Sequence, residues 1–125
     1  MTIRGELTSQ ERIELPTKSV GIVELARAQD GRVVAEQRLA LAGRQVPVPF
    51  ELKAHRSTFE DGATYFLRGA IAMDGRTQWI SDAVEVRARP GTIEVGKLVL
   101  KPYEPRRSAR RWFAATEVRA LALPA

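Results

Sequence analysis

The side chains best suited to acid–base or metal chemistry are scarce and scattered along this sequence. Histidine occurs once, at His55, and cysteine does not occur. Glu60 and Asp61 follow His55 closely and would permit acid–base chemistry, but an exposed loop histidine is the simpler interpretation. Asp61, Asp74 and Asp82 each stand beside turn-forming residues, which favours a role in turns over metal coordination. We therefore expect a protein that is not an enzyme, with no cofactor and no bound metal.

The lack of cysteine also excludes disulfides, thiolate ligands, a thiol nucleophile and a lipidated cysteine within these residues. No Gly-rich loop opens a helix to hold a phosphate. No apolar stretch approaches the roughly 18 residues that a membrane span requires. Residues 1–10 contain one arginine and no apolar run, so they do not resemble a signal peptide. The sequence thus predicts either a cytoplasmic protein or one whose leader has been removed.

Positive charge is concentrated at the C-terminal end. Six basic and two acidic residues fall from Lys101 onward, which places +4 of the net charge of +5 there. A short arginine-rich run with two aromatic residues suits phosphates and bases, or an anionic membrane surface. Because one short cluster beside a linker is weak support, we disfavour nucleic acid as a partner. The cluster consists of Arg106, Arg107, Arg110, Arg111, Trp112 and Phe113.

Alternation of apolar and polar residues is the main pattern before residue 101, and it predicts β-strands. In the clearest run, residues 46–53, Pro47 and Pro49 cannot donate hydrogen bonds to a neighbouring strand, so this strand should lie at a sheet edge. Gly96 is expected to form a bulge inside the last strand. The predicted strands are residues 2–9, 20–27, 32–41, 46–53, 65–73, 77–87 and 92–101.

Turn signals separate these strands. Asp30-Gly31 and Asp74-Gly75 lie between alternating segments, as two-residue hairpin turns with positive φ require, and Pro90-Gly91 marks a further turn. Tyr65 stands in a run typical of a tyrosine corner, in which the hydroxyl bonds to the backbone a few residues upstream; the alternative is an inward-facing strand aromatic. The pattern predicts an all-β fold, a seven- to eight-stranded antiparallel β-sandwich of Ig-like or transthyretin-like class.

We expect one sandwich domain over residues 1–101. Residues 102–125 are interpreted as a proline-containing linker followed by a basic, Ala/Leu-rich C-terminal segment. Within it, Ser108 is placed to cap a stretch from Ala109 to Leu123 that has no glycine or proline, which favours a helix. Its apolar residues would pack on the sandwich or on a second copy of the chain, so a homodimer through this segment is one alternative.

Several blocks resemble, in the same order, those of a known family. The first is residues 8–16, Thr-Ser-Gln-Glu-Arg-Ile-Glu-Leu-Pro, and the most specific is Gln-Val-Pro-Val-Pro-Phe at residues 45–50. Over residues 2–101 the chain resembles the YbaY/YscW family of pilotin-like lipoproteins of Gram-negative bacteria, which are chaperone-like proteins of type III secretion. The remaining blocks are residues 33–37, 65–71, 74–75, 79–82 and 98–100.

The resemblance implies a periplasmic β-sandwich of an outer-membrane lipoprotein. It implies a protein partner, a secretin or another envelope protein, which this module would pilot or chaperone. The location would be periplasmic and outer-membrane-associated if a leader with a lipid-bearing cysteine has been removed, and cytoplasmic otherwise. Contact with the membrane would then depend on that anchor alone. The sequence departs from the family pattern in lacking this cysteine and in carrying the basic C-terminal segment.

A chaperone of this kind should expose an apolar patch, groove or sheet edge. Val34, Phe66 and Trp79 alternate with the predicted core residues of their strands, so we expect them on outward faces. We predict that they bind the partner together with the C-terminal cluster. Pro47 and Pro49 disfavour their own strand as the receiving edge, so another edge must serve. The alternatives are a cytoplasmic or surface domain that uses the arginine-rich tail on nucleic acid or anionic membrane, and a self-associating structural protein.

Overall fold

The structure, a computed structural model, describes residues 1–103 and confirms the predicted all-β fold. It contains eight strands and one short 3-10 turn, Arg56–Thr58. No helix within residues 1–103 is long and apolar enough to cross a membrane. The strands are β1 (Thr2–Thr8), β2 (Val20–Arg27), β3 (Val33–Ala40), β4 (Val48–Lys53), β5 (Thr64–Met73), β6 (Arg76–Ser81), β7 (Val84–Arg87) and β8 (Thr92–Pro102).

Hydrogen bonds join the strands in one path, β3-β2-β5-β6-β8-β1-β4, with β7 beside β5. The path is continuous because the first part of β8 pairs with β1 while residues 100–102 pair with β6. Its two ends, β3 and β4, contact each other, so the sheet nearly closes around one core. The β1–β8 pairing is parallel, which is the one departure from the predicted antiparallel order in the described residues.

The core is filled mainly by aliphatic side chains of the strands, and a loop also contributes to it. Leu15, between β1 and β2, is 3% exposed and belongs to the core cluster. The Gln45 side chain holds this loop, since its Oε1 accepts from Leu15 N at 2.7 Å and its Nε2 donates to Leu15 O at 3.0 Å. Two blocks that are far apart in the sequence, residues 8–16 and 43–52, are thereby joined.

The turns agree with the sequence in part. Asp74 and Gly75 have φ values of 53° and 76°, which confirms a hairpin turn with two positive φ angles. The prediction of a two-residue turn at Asp30-Gly31 is wrong, because Arg27 N donates to Arg32 O and closes a four-residue loop. There the Asp30 carboxylate accepts hydrogen bonds from the Arg27 guanidinium and from Arg32 N, so its side chain shapes the loop.

Three further predictions concern single residues or segments. The tyrosine corner is confirmed, because the Tyr65 hydroxyl accepts a hydrogen bond from Glu60 N at 3.0 Å. The bulge at Gly96 is also confirmed, with a φ of 76° and a register shift opposite β1. The predicted strand 77–87 is instead two strands, β6 and β7, separated at Asp82 and Ala83.

Gly5 is required by the close approach of β1 to β8. A Cβ atom at Gly5 would lie 2.5 Å from the carbonyl oxygen of Gly96 and 2.9 Å from Cζ of Phe50. The first of these atoms is backbone and cannot turn away, so any side chain at Gly5 would push the two strands apart. Gly21 differs, since a Cβ there would meet Leu7 at 3.5 Å, an ordinary contact distance.

We expect Gly5→Ala to lower the free energy of unfolding by about 1–3 kcal/mol, the usual cost of overpacking a well-packed site. Gly21→Ala is the matched control and should change it by less than about 1 kcal/mol. Urea unfolding of the two variants beside the wild-type chain measures both effects. Equal midpoints for the two variants would contradict the close approach of β1 to β8.

Candidate protein-binding groove

The two ends of the strand path lie next to each other. Within residues 1–103, β3 pairs only with β2 and β4 pairs only with β1. Each therefore has one edge whose backbone groups are available to a further strand. Pro49 lies inside β4, and β4 is at the end of the path, which confirms the predicted edge position. No proline interrupts β3, so of the two edges β3 is the one suited to accept a partner strand.

A groove of about 790 Å³ opens between these two edges. A smaller hollow of about 430 Å³ continues it along the same strands and shares Gln37 and Glu51 with it. Leu39 is half-buried and Phe50 is 5% exposed, so they supply the apolar part of the lining. The β3–β4 groove, as this surface is called below, is lined by Arg4, Gly5, Glu6, Gln37, Leu39, Pro49, Phe50, Glu51, Glu94, Gly96 and Lys97.

Glycine shapes this groove at the β1–β8 pair. Gly5 lies opposite Gly96 across the parallel pair and opposite Phe50 across the antiparallel pair. At Gly96 a Cβ atom would meet no other atom within 4 Å, so this bulge opens onto free space. The groove is open here because Gly96 carries no side chain, whereas the space beside Gly5 is filled by β8 and Phe50.

Charged side chains of both signs surround the apolar lining. Arg4 is central, with its Nε 2.8 Å from Oε2 of Glu51 and its Nη1 3.8 Å from Oε2 of Glu94. The hydrogen bond with Glu51, reinforced by their opposite charges, raises the pKa of Arg4. The same hydrogen bond lowers the pKa of Glu51, with the charge of Arg4 adding to it. All three side chains are at least 40% exposed, so these pairs orient the charges more than they stabilise the fold.

A second, more polar hollow of about 480 Å³ lies beside Tyr65 and the 3-10 turn. His55 is exposed at the start of this turn, and its Nδ1 accepts a hydrogen bond from Ser57 N at 3.1 Å, so it caps the turn. Asp61 forms an ion pair with Arg56 at 3.5 Å. Within residues 1–103 no group of three or more acidic or histidine side chains is arranged to hold a metal ion. His55 thus takes part in local loop structure.

The predicted partner-binding residues are placed differently from one another. The prediction that Val34 and Trp79 project outward is wrong, because both pack half-buried against the core cluster. Val34 is the extra residue of a bulge opposite Leu25 and Ala26. A bulge at Gln78 brings Trp79 opposite the core residue Ile71. Each bulge adds one residue and reverses the parity on which the prediction depended.

Phe66 lies as predicted on the outward side of its strand, half-buried and opposite Glu85 of β7. The cluster from Arg106 to Phe113 falls outside the described residues, as does the predicted helix from Ala109 to Leu123. Partner binding by the predicted residues, the homodimer and contact with nucleic acid stay predictions. No large apolar side chain within residues 1–103 is exposed, so these residues present no flat apolar patch.

Sequence reasoning did not identify Gln37, Leu39 or Phe50 as groove residues. Alternation assigned Leu39 and Phe50 to the core face, which is correct for their direction but does not reveal that the edges of β3 and β4 meet. The sequence contained only an indirect indication of the receiving edge. Prolines blocked β4 as a receiving edge, which required a different edge, and the structure identifies β3 as a free edge beside the groove.

Comparison with known proteins gives two matches. A family model described as "Type III secretion system lipoprotein chaperone (YscW)" matches residues 1–92. Among solved structures, one described as an alternative pilotin from the type II secretion system of Vibrio cholerae is similar, with a TM-score of 0.69 and 27% sequence identity. The alignment covers 82% of this chain and 98% of that one. A comparison with curated proteins finds no match.

The Glu51–Arg4 hydrogen bond should make the stability of the fold depend on pH. The folded-state pKa of Glu51 lies below its ordinary value. The pair therefore stabilises the fold when the pH is above the ordinary pKa of a glutamate. This contribution is lost as the pH falls through the lowered pKa. Glu51→Gln should therefore weaken the dependence of stability on pH between about pH 6 and about pH 3.

Urea midpoints measured across this range for wild type and Glu51→Gln test the prediction. Glu94→Gln is the control, because its carboxylate lies 3.8 Å from Arg4, beyond hydrogen-bond distance. Parallel pH curves for wild type and Glu51→Gln would show that the pair makes no contribution. The effect is expected to be small, as the pair is exposed.

Proposed function

Since this chain belongs to the YscW family of type III secretion system lipoprotein chaperones, we propose that it is a periplasmic chaperone which binds a segment of an outer-membrane secretin. The similarity to a pilotin from a type II secretion system supports a role in assembling a secretion machine. A protein of this kind needs a site for a polypeptide and no catalytic group. The β3–β4 groove is the feature of this chain that best meets that need.

The observation that carries the proposal is the free edge of β3 beside a partly apolar groove. An extended segment can add to such an edge through backbone hydrogen bonds, while alternate side chains enter pockets that give specificity. Leu39 and Phe50 are positioned to contact those side chains. β4, with Pro49 in its interior, limits the opposite side of the groove without competing for the same strand.

The charges around the groove define the segment further. Arg4 and Lys97 lie close to Glu6, Glu51 and Glu94, so neither sign dominates. A strongly acidic or strongly basic segment would therefore meet as much repulsion as attraction. We infer that the bound segment alternates apolar with polar side chains over about six to eight residues, which is the usual strand length and matches β3.

Binding should be weakened by a change at Leu39. We expect Leu39→Ala to reduce affinity for a fluorescently labelled peptide from the C-terminal region of the cognate secretin by about tenfold. This is the effect of losing the burial of several methylene-sized groups, about 1–2 kcal/mol. Val84→Ala is the control, because Val84 is also half-buried but lies in β7, away from the groove.

Fluorescence anisotropy titrations of wild type and both variants, each checked for folding by circular dichroism, measure this difference. Equal losses for Leu39→Ala and Val84→Ala would argue against the groove as the site. No binding of any peptide from the secretin by the wild-type chain would argue against the secretin itself.

The proposed location has its own test. Expressed from its native gene, the protein should be recovered in the periplasmic and outer-membrane fractions of the cell. The assay is immunodetection in fractions checked with markers for each compartment. Recovery only with the cytosolic marker would contradict the periplasmic location, whatever the result of the peptide titrations.

A further inference from the structure

The backbone groups at the free edge of β3 belong to every second residue. Leu41 N donates to Ser19 O, and these two residues continue the register of the antiparallel β2–β3 pair. Hydrogen-bonded pairs occur at alternate positions of such a ladder, so Gln37 directs its N–H and C=O groups toward β2. Glu36 and Arg38 lie between these positions. Their backbone groups therefore point to the free edge, where they are available to another strand.

This edge is open over the same residues. The smaller hollow of about 430 Å³ lies between Glu36 and Gln37 on one side and residues 51–53 of β4 on the other. Glu36 and Arg38 are exposed, and Arg38 Nε lies 3.1 Å from Glu36 Oε2 in an ion pair within the strand. Arg44 Nη2 lies 3.5 Å from Ala40 O, beside the C-terminal end of the edge. The part left for pairing is therefore centred on Gln37.

We propose that β3 pairs antiparallel with β3 of a second copy of this chain, with the two Gln37 residues opposite each other on a twofold axis. In this register Glu36 of each copy faces Arg38 of the other. Both residues have their backbone groups at the free edge, so each Glu36–Arg38 pair exchanges both of its N–H···O bonds. The same surface serves both copies, as a twofold interface requires.

Side chains match as well as backbone groups in this register. On the outer face, each Arg38 lies between the Glu36 of its own strand and the Glu36 of the other, so charges of opposite sign alternate. On the inner face, Leu39 faces the small Ala35, and Gln37 faces Gln37. An amide carries both donors and an acceptor, so the two Gln37 side chains can bond to each other. Within residues 1–103, Oε1 of Gln37 accepts no hydrogen bond.

Other pairings are less favourable. A shift by two residues in either direction sets Arg38 opposite Arg38 or Glu36 opposite Glu36, and like charges directly opposite each other destabilise a sheet. The edge of β4 offers a less complete set of donors. Met1 N donates to Ala54 O and Ala54 N donates to Met1 O, so alternation directs the backbone of Pro49 to the free edge, where a proline has no N–H to donate.

The dimer would regulate access to the β3–β4 groove. It covers the edge that the proposed function assigns to a secretin segment, so the two copies must separate before that segment binds. Only this consequence rests on the proposed function, because the dimer itself depends on residues 35–39. Unpaired edge strands invite uncontrolled association, and a defined self-pairing protects the edge until the partner is present.

Disulfide trapping tests the register in the full chain, which has no cysteine of its own. In Gln37→Cys the two cysteines occupy a non-hydrogen-bonded pair, with Cα atoms about 4.5 Å apart, within the range of a disulfide. In the control Leu39→Cys, position 39 faces Ala35, so the two cysteines are about 13 Å apart along the strand. At equal concentration in an oxidising buffer, only Gln37→Cys should run as a dimer on a non-reducing gel. No dimer from Gln37→Cys, or equal dimer from both variants, would overturn the proposal.

Charge reversal tests the contacts across the axis without a cross-link. Glu36→Arg sets arginine opposite arginine, and Arg38→Glu sets glutamate opposite glutamate, so each variant should dimerise about tenfold more weakly than the wild-type chain. An equimolar mixture of the two variants restores both opposite-charge pairs, so it should regain the wild-type affinity. Sedimentation velocity measures the dimer, and circular dichroism checks that each variant folds.

Equal dimerisation of wild type and single variants, or a mixture no stronger than its components, would overturn the proposal. Neither experiment contains a secretin peptide. A failure here therefore leaves the proposed function intact, and a failure of peptide binding leaves the dimer intact.

Discussion

The close approach of β1 to β8 at Gly5 and Gly96 is the contact on which the rest of the structure depends. β1 pairs with β4 on one side, and β8 pairs with β6 at its C-terminal end. Within residues 1–103, the β1–β8 pairing is therefore the hydrogen-bonded link between β1 and β4 and the other strands. A side chain at Gly5 would meet the backbone of β8 and the Phe50 ring. The same two glycines line the β3–β4 groove, so the requirements of the fold and of the site meet at one position.

Much of the fold follows from local pattern. Alternation located every strand to within a few residues, with only 77–87 failing to show its interruption at Asp82 and Ala83. The prolines at 47 and 49 identified the edge strand, and Tyr65 identified the corner, because each depends on a chemical property of one residue. The parallel β1–β8 pair was not predicted, since it depends on which distant strands meet and no short segment contains that information.

The candidate site was less predictable for the same reason. Val34 and Trp79 were assigned outward by parity, but a single extra residue in each bulge reverses parity, and neither bulge contains a glycine that would have signalled it. The β3–β4 groove lies between strands that are not hydrogen-bonded to each other. Its residues are ordinary strand residues, so only the three-dimensional closure of the sheet distinguishes them from other strand residues.

The parallel pair also determines when this chain is able to fold. Thr2 pairs with Thr92 and Leu7 with Leu98, so β1 cannot form this pairing until β8 has been made. Contacts between residues so far apart in sequence carry a large loop-closure entropy and slow the folding of β proteins. A chain emerging from its N-terminus therefore keeps β1 without its β8 partner until residues 92–99 have been made. Until then the sheet lacks its parallel pair, and the strand path from β3 to β4 cannot be completed.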